Sequence, residues 1–270
     1  MDKINNSQYL RDEQYKNAKN LNARIRLHVE FSANDYGWFR WVFDQYDLPE
    51  EARILELGCG PGDQWRENQA RIPAGWQVTL SDFSPGMLEQ AQQNLAEVAH
   101  PFNFEVINAQ EIPYPADSFD AVIANHCIYH FPDRARALSE IQRVLKPGER
   151  FYATTIGDTH MQDLSHLIAR FEPQAVKILP SDQIPFTLEN GAEQLSTWLE
   201  AVSMDRYQDQ LRVTDAGLLV AYVYSGMRAN LSQERKSELL TFFEQELQAA
   251  GGVITIGKDS GIFMGRKALA

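Results

Sequence analysis

Cysteine is scarce in this chain: two residues in 270, Cys59 and Cys127, and neither belongs to a C-x-x-C pair. That argues against a disulfide framework and against a structural zinc site, and it fits a reducing compartment. Positive charge is also short, with 25 Lys and Arg against 37 Asp and Glu and a formal net charge of −12. With no basic patch in the sequence, a nucleic-acid partner is not expected. Long apolar runs are missing. The stretch from Gly217 to Met227 is too short, and too interrupted by tyrosines, to cross a bilayer. The opening residues Met1 to Asn6 are polar and lack the apolar stretch of a signal peptide. A cytoplasmic protein with no membrane partner is the default expectation. Repeats and low-complexity segments are absent too. What remains is 44% hydrophobic and 23% charged, enough for one large domain or a domain with an inserted lobe. Composition is silent on oligomeric state.

Residues 1–33 are polar and aromatic and read as helix. Asn34-Asp35 can cap a helix carrying Trp38, Trp41 and Val42 that ends near Pro49. A strand–helix alternation then begins. Strands are expected at 53–57, 77–82, 104–107, 119–124 and 150–155. Ser84-Pro85 has the Ser-then-Pro start of a helix whose Leu88, Ala91, Leu95 and Val98 share one face. Asp133 can cap another, with Leu138, Ile141 and Leu145 inward and Pro147-Gly148 as the stop. Such alternation predicts a parallel sheet with helices on both faces. From Gly157 to about Leu231 the rhythm breaks, which suggests an inserted lobe. Regular structure resumes with a helix capped by Ser232 and halted at Gly251-Gly252. The segments 253–256 and 261–264 flank the turn Lys258-Asp259-Ser260 and read as a closing β-hairpin.

The chemistry concentrates in a few places. Gly58-Cys59-Gly60-Pro61-Gly62 directly follows a strand, and glycines there let backbone turn tightly against a ligand. A dinucleotide loop of the G-x-G-x-x-G kind would need Gly or Ala at 63, where Asp63 stands. Asp82 ends the next strand about twenty residues on, where a carboxylate can accept both hydroxyls of a ribose. His126 and His130 are four apart, but the zincin pattern needs Glu at 127 and the chain has Cys127. No metal site is expected.

The run Glu56-Leu57-Gly58-Cys59-Gly60-Pro61-Gly62, Asp82-Phe83-Ser84-Pro85-Gly86-Met87, and Asp117 through Phe131 resemble, in order and spacing, the class I Rossmann-like S-adenosylmethionine-dependent methyltransferases. The resemblance implies an α/β fold: a doubly wound, mostly parallel seven-stranded sheet ending in an antiparallel β-hairpin. It also implies an N-terminal helical cap (1–48), a cofactor-binding domain (49–156 and 232–270) and an inserted substrate-facing lobe (157–231) between strands 5 and 6. It implies S-adenosyl-L-methionine as cofactor, with Glu56, Gly58, Cys59, Gly60 and Gly62 around its amino-acid portion and Asp82 on its ribose. Phe83 and Met87 would lie against the adenine. Relatives usually read Asp-Ala where this chain has Asn108-Ala109; Asn108 keeps an acceptor oxygen, and Ala109-Gln110 offers further groups.

Asn125 and His126 would sit by the sulfonium, with Tyr129 and His130 one turn on; His126, Tyr129 and His130 are the catalytic candidates, and His160 is another side chain to examine. Amino-methyltransferases acting on nucleobases carry Asn/Asp-Pro-Pro-Tyr where this chain reads Asn125-His126-Cys127-Ile128, which argues against that substrate class. Segments 14–24, 187–191 and 213–222 look like the cap and lobe of a bacterial small-molecule subgroup, which puts Tyr15 and Arg24 near the cofactor carboxylate. The lobe's aromatics point to a small, partly apolar acceptor methylated on oxygen or nitrogen. Deleting residues 1–30 is expected to leave a folded but nearly inactive protein. Two other functions stay open at this point: a non-catalytic module that only binds S-adenosylmethionine, and an NAD(P)-dependent oxidoreductase, disfavoured by Asp63 and by the hairpin ending.

Overall fold

The computed structural model of the chain describes residues 19–175, 185–225 and 231–269, with isolated positions 6, 8, 12, 13 and 16 before them. Seven strands form the central sheet: β1 (Arg53–Leu57), β2 (Gln77–Asp82), β3 (Phe102–Val106), β4 (Phe119–Asn125), β5 (Leu145–Ile156), β6 (Glu200–Tyr207) and, last in the chain, β9 (Ser260–Arg266). Their order is β3-β2-β1-β4-β5-β9-β6. The first five run parallel, and β9 is antiparallel to both its neighbours.

Both faces of the central strands are buried, which is why β1, β2 and β4 read as near-continuous apolar runs. Ile54, Val78, Leu80, Ala121, Ile123 and Tyr152 point to one side. There they meet α2 (Trp38–Asp44), α3 (Asp63–Glu67) and α4 (Pro85–Leu95) through Val42, Phe43, Trp65, Leu88, Ala91 and Leu95. Leu55, Leu57, Val122, Ala124, Phe151 and Phe263 point to the other, against α5 (Arg134–Val144) and the short α7 (Gly191–Ser196). Two helix starts follow the sequence closely. Ser84 Oγ accepts from Met87 N at 3.3 Å ahead of Pro85, and Asp133 Oδ1 accepts from Arg136 N at 2.9 Å. Asn34 does not cap α2. Its Oδ1 accepts from Tyr36 N (3.1 Å) in a local turn, and Gly37 at φ 88 begins the helix instead.

The end of the chain departs from the expected hairpin. Segment 253–256 becomes β8 (Ile254–Gly257), which leaves the sheet and pairs antiparallel with β7 (Gln210–Val213) in a separate two-stranded sheet. The place beside β9 goes to β6, although the sequence pattern assigns residues 200–207 to the lobe. Alternating exposure hid it: β6 is an edge strand with few buried side chains, so it carries little apolar signal.

A third core lies apart from the sheet. It joins α1 (Lys19–Glu30), α6 (Gln162–Phe171), α8 (Ala216–Ser225) and α9 (Lys236–Ala249) to the β7–β8 pair. Leu27 of α1 is fully buried in it. The deletion of residues 1–30 that was expected to spare the fold therefore removes a core side chain. Leu27→Ala alone is expected to cost about 2–5 kcal/mol, read as a lowered denaturation midpoint; a shift worth under about 0.5 kcal/mol, the range of surface changes, would show that α1 is dispensable to this core.

Candidate active site

The carboxyl ends of β1, β2 and β4 open into one cavity of about 1160 Å³, lined also by α1, α2 and the 258–260 link. Beyond the strand ends is where ligands sit in open α/β sheets. The glycine loop forms its floor. Gly58, Gly60 and Gly62 all have positive φ (69, 54 and 80), a region open to glycine at little cost. A Cβ on Gly58 would stand 2.8 Å from Cys127 Cβ, and one on Gly62 would stand 2.9 Å from Leu95 Cδ1. Gly58, Cys59 and Gly60 line the cavity, whereas Gly62 does not. Its absent side chain lets α3 approach α4, so this glycine serves packing.

Asp82, at the tip of β2, holds the loop. Its Oδ2 accepts from Gly60 N (3.0 Å) and its Oδ1 from Ser84 N (2.8 Å). Each oxygen has further acceptor capacity toward the cavity it lines. Burial pushes this carboxyl up to about 6 against the pull of those backbone donors. Glu56 is 1% exposed. Its Oε2 accepts from Trp65 Nε1 (2.6 Å) and its Oε1 from Asn125 Nδ2 (3.0 Å). Burial raises it to about 7, with the nearby Asp82 adding to the effect. Two carboxyls at one floor, Glu56 buried and Asp82 half-buried, favour a ligand that brings positive charge or hydroxyl donors. Beside them Met87, Ile107 and Ala109 are buried and Phe83 stands 37% exposed, an apolar slot open on one side.

The far wall starts at Asn125. Its Nδ2 also donates to Tyr46 Oη (3.1 Å), and its Oδ1 accepts from Thr154 Oγ1 (3.2 Å). His126 N donates to Thr154 O at 3.0 Å, which anchors a residue in the left-handed region at φ 50. A non-glycine residue held there stores strain of order 1–3 kcal/mol, a cost that recurs at functional sites. The His126 ring packs on Trp38 at 5.3 Å, and burial lowers its basicity to about 4, helped by the Lys258 charge. Tyr129 and His130 follow in a 3-10 turn (Ile128–His130), edge to face at 4.6 Å, and both line the cavity. His126 and His130 therefore share no helix face. Among the described residues no three His, Cys, Asp or Glu side chains converge as metal ligands do. Burial pushes both cysteine thiols up, so Cys127 is a packing thiol, its Sγ donating to Leu57 O (3.2 Å).

Arg24 and Asn108 also line the cavity. Gln110 does not. Its side-chain Oε1 accepts from Asp133 N (2.7 Å) and its carbonyl from Arg136 Nε (2.7 Å), so it ties the 108–111 turn to α5. Tyr15 falls outside the described residues. Tyr222, one of the lobe aromatics expected near the acceptor, lines the cavity. The structure adds groups that spacing alone could not reveal: Trp65 behind Glu56, and Trp38, His28 and Lys258 in the wall. They arrive from four separated segments, and none belongs to a recognisable motif.

Comparison with known proteins agrees with this geometry. The family described as "Methyltransferase domain" matches residues 55–153, which span the glycine loop through β5. The ubiquinone/menaquinone biosynthesis C-methyltransferase UbiE of Geotalea daltonii is 30% identical over 186 residues, covering 68% of this chain and 77% of that one. Among solved structures, Haemonchus contortus phosphoethanolamine N-methyltransferase 2 in complex with S-adenosyl-L-methionine aligns over 97% of this chain and 60% of its own, with a TM-score of 0.59 and 21% identity. The YcgJ protein of Bacillus subtilis covers 86% of this chain and 98% of its own, with a TM-score of 0.57 and 18% identity. S-adenosylmethionine fits the residues present: a glycine-rich loop, a half-buried carboxylate with acceptor capacity to spare, and an apolar slot beside it. A glycine floor pinned by Asp82, a strand order with one reversed strand, and a relative matched along most of its length lead to one conclusion: the chain belongs to the class I S-adenosylmethionine-dependent methyltransferases.

Proposed function

We propose that the protein methylates a small, partly apolar molecule, with its residues divided between a cofactor half and an acceptor half of the one cavity. The observation that carries this is the pairing of Asp82 with Gly60 N at 3.0 Å, which fixes a carboxylate and a bare backbone loop side by side at the cavity floor. In this reading Asp82 holds the ribose hydroxyls, Gly58, Cys59 and Gly60 pass under the amino-acid portion, and Phe83, Met87, Asn108 and Ala109 flank the adenine. Arg24 reaches the cofactor carboxylate. Glu56 and Asn125 act as one hydrogen-bonded unit at the cationic end.

When bound, S-adenosylmethionine supplies a methyl group on a positively charged sulfur, already activated toward nucleophiles. The chain's own task is then orientation and exclusion of water. Holding reactants in line is worth about 7–11 kcal/mol in well-aligned intramolecular cases. His126, with basicity lowered to about 4, is unprotonated at neutral pH but a weak proton acceptor. We therefore place it as an orienting hydrogen-bond partner, with Tyr129 and His130 shaping the same wall. The acceptor atom is an oxygen or nitrogen or, given relatives named as C-methyltransferases, a carbon made electron-rich by a neighbouring oxygen. Helices α1 and α2, α6 and α8 supply the cover over the acceptor.

The test is turnover. Incubated with S-adenosylmethionine and a panel of small aromatic and heteroaromatic acceptors, the protein should release S-adenosylhomocysteine with at least one of them. Tight binding of the cofactor with no product from any acceptor across a broad panel would favour a binding-only module.

A further inference from the structure

The acceptor half of the cavity contains a buried cation whose hydrogen-bonding capacity is only partly used. Lys258 Nζ pairs with Asp209 Oδ2, and the lysine side chain is 6% exposed. An ammonium has three donors; Asp209 is the one hydrogen-bond partner of this group among the described residues, with the Tyr207 ring 5.6 Å away beneath it. Asp209, in contrast, is saturated. It accepts from Ser32 Oγ (2.8 Å), Ala33 N (3.1 Å), Asn34 N (3.2 Å) and Gln210 N (2.8 Å) besides the lysine. Those neutral donors stabilise the carboxylate on the far side of the pair, while Lys258 itself lines the cavity.

The groups around that face are aromatic. His28 stacks on His160 at 5.7 Å and meets Tyr222 edge to face at 5.7 Å, and Trp38 covers His126. His28 Nδ1 is buried without a hydrogen-bond partner. Asp259 N donates to His160 Nδ1 (3.2 Å), which places the proton of that ring on Nε2. Burial first, and then the Lys258 charge, lower His28 to about 3; burial first, and then the same charge, lower His126 to about 4. Lys258 thus adds positive field at both rings, joined at His28 by Arg24, and neither imidazole carries a charge at neutral pH. A buried ammonium with donors unmet is costly, and a ligand oxyanion is the group that would meet them.

We propose that Lys258 is a specificity-determining residue that anchors the methyl acceptor through an oxyanion, a carboxylate or phenolate carried on a flat ring held among Trp38, His28 and Tyr222. This rests on the methyltransferase reading of the cavity and narrows its substrate class. Lys258, with Asp209 behind it, presents its unmet donors, the imidazoles offer neutral donors and acceptors, and the aromatic walls select planarity.

Calorimetric titration of the whole protein, first saturated with S-adenosylhomocysteine, should show benzoate binding at least tenfold tighter than its neutral counterpart benzamide. Lys258→Arg should keep that preference and Lys258→Met should abolish it, each variant first shown to bind S-adenosylhomocysteine. The wild-type comparison needs no variant to fold. Equal binding of the two probes, binding of neither, or a preference that survives in Lys258→Met would overturn the proposal while leaving the cofactor reading intact. Failure of wild-type protein to bind S-adenosylhomocysteine would overturn both.

Discussion

Asp82→Ala is expected to weaken binding of S-adenosylhomocysteine by at least 100-fold. In the proposed ribose role two hydroxyl bonds to an ionised acceptor would be lost, each worth about 1.5–3 kcal/mol, and about 2.7 kcal/mol is a factor of 100. The substitution also leaves Gly60 N and Ser84 N without their acceptor, so the loop that must meet the ligand loses its support as well. At about a hundred times its dissociation constant, the ligand should stabilise wild type by about 2.7 kcal/mol; at the same concentration the variant should gain less than about 0.5 kcal/mol. Asp82→Asn should not rescue, because its amide nitrogen would confront a backbone N–H. Isothermal titration and melting shifts read both quantities, and wild-type affinity in Asp82→Ala would remove this carboxylate from the ribose.

Gly58→Ala should be the most damaging single methyl in the loop. The left-handed backbone at φ 69 costs a non-glycine residue about 1–2 kcal/mol. The new Cβ would also meet Cys127 Cβ at 2.8 Å and Sγ at 3.2 Å, and overpacking of this kind adds about 1–3 kcal/mol. A total of about 2–5 kcal/mol is expected in equilibrium unfolding, with cofactor affinity falling alongside. The two causes separate in a double variant. Cys127→Gly placed on Gly58→Ala should recover the steric share and leave the backbone share. A loss below about 0.5 kcal/mol, within the range of a surface change, would contradict the geometry.

Much of this site was legible before any coordinates because its chemistry is local in sequence. A glycine loop follows its strand directly, Asp82 follows the next strand, and Ser84 and Asp133 announce their helices with a side-chain oxygen three residues ahead of the N–H it accepts. The acceptor wall was not legible in this way. His28, Trp38, Tyr222 and Lys258 lie on segments whose order in the chain carries no record of their meeting. Lys258 looked like the polar tip of a hairpin, the commonest setting for a lysine between two strands. The edge strand β6 escaped for a related reason: with most of its side chains outside the core, its pattern resembles a loop. Gly62 and Gln110 were placed by family position beside the cofactor, but the first answers to Leu95 and the second to Asp133.

The strands β8 and β9 belong to different sheets and are joined by only Lys258 and Asp259. Asp259 is fastened to the body of the molecule: its carboxylate pairs with Arg206 of β6 and accepts from Thr159 Oγ1 (2.9 Å), and its carbonyl accepts from Gly157 N (2.9 Å). Its neighbour Lys258 is fastened to the small β7–β8 assembly through Asp209. The two-residue splice is therefore a rivet between the main sheet and the small β7–β8 assembly. If that assembly tilts, the lysine tilts with it, so the width of the chamber and the position of this buried cation change as a single variable.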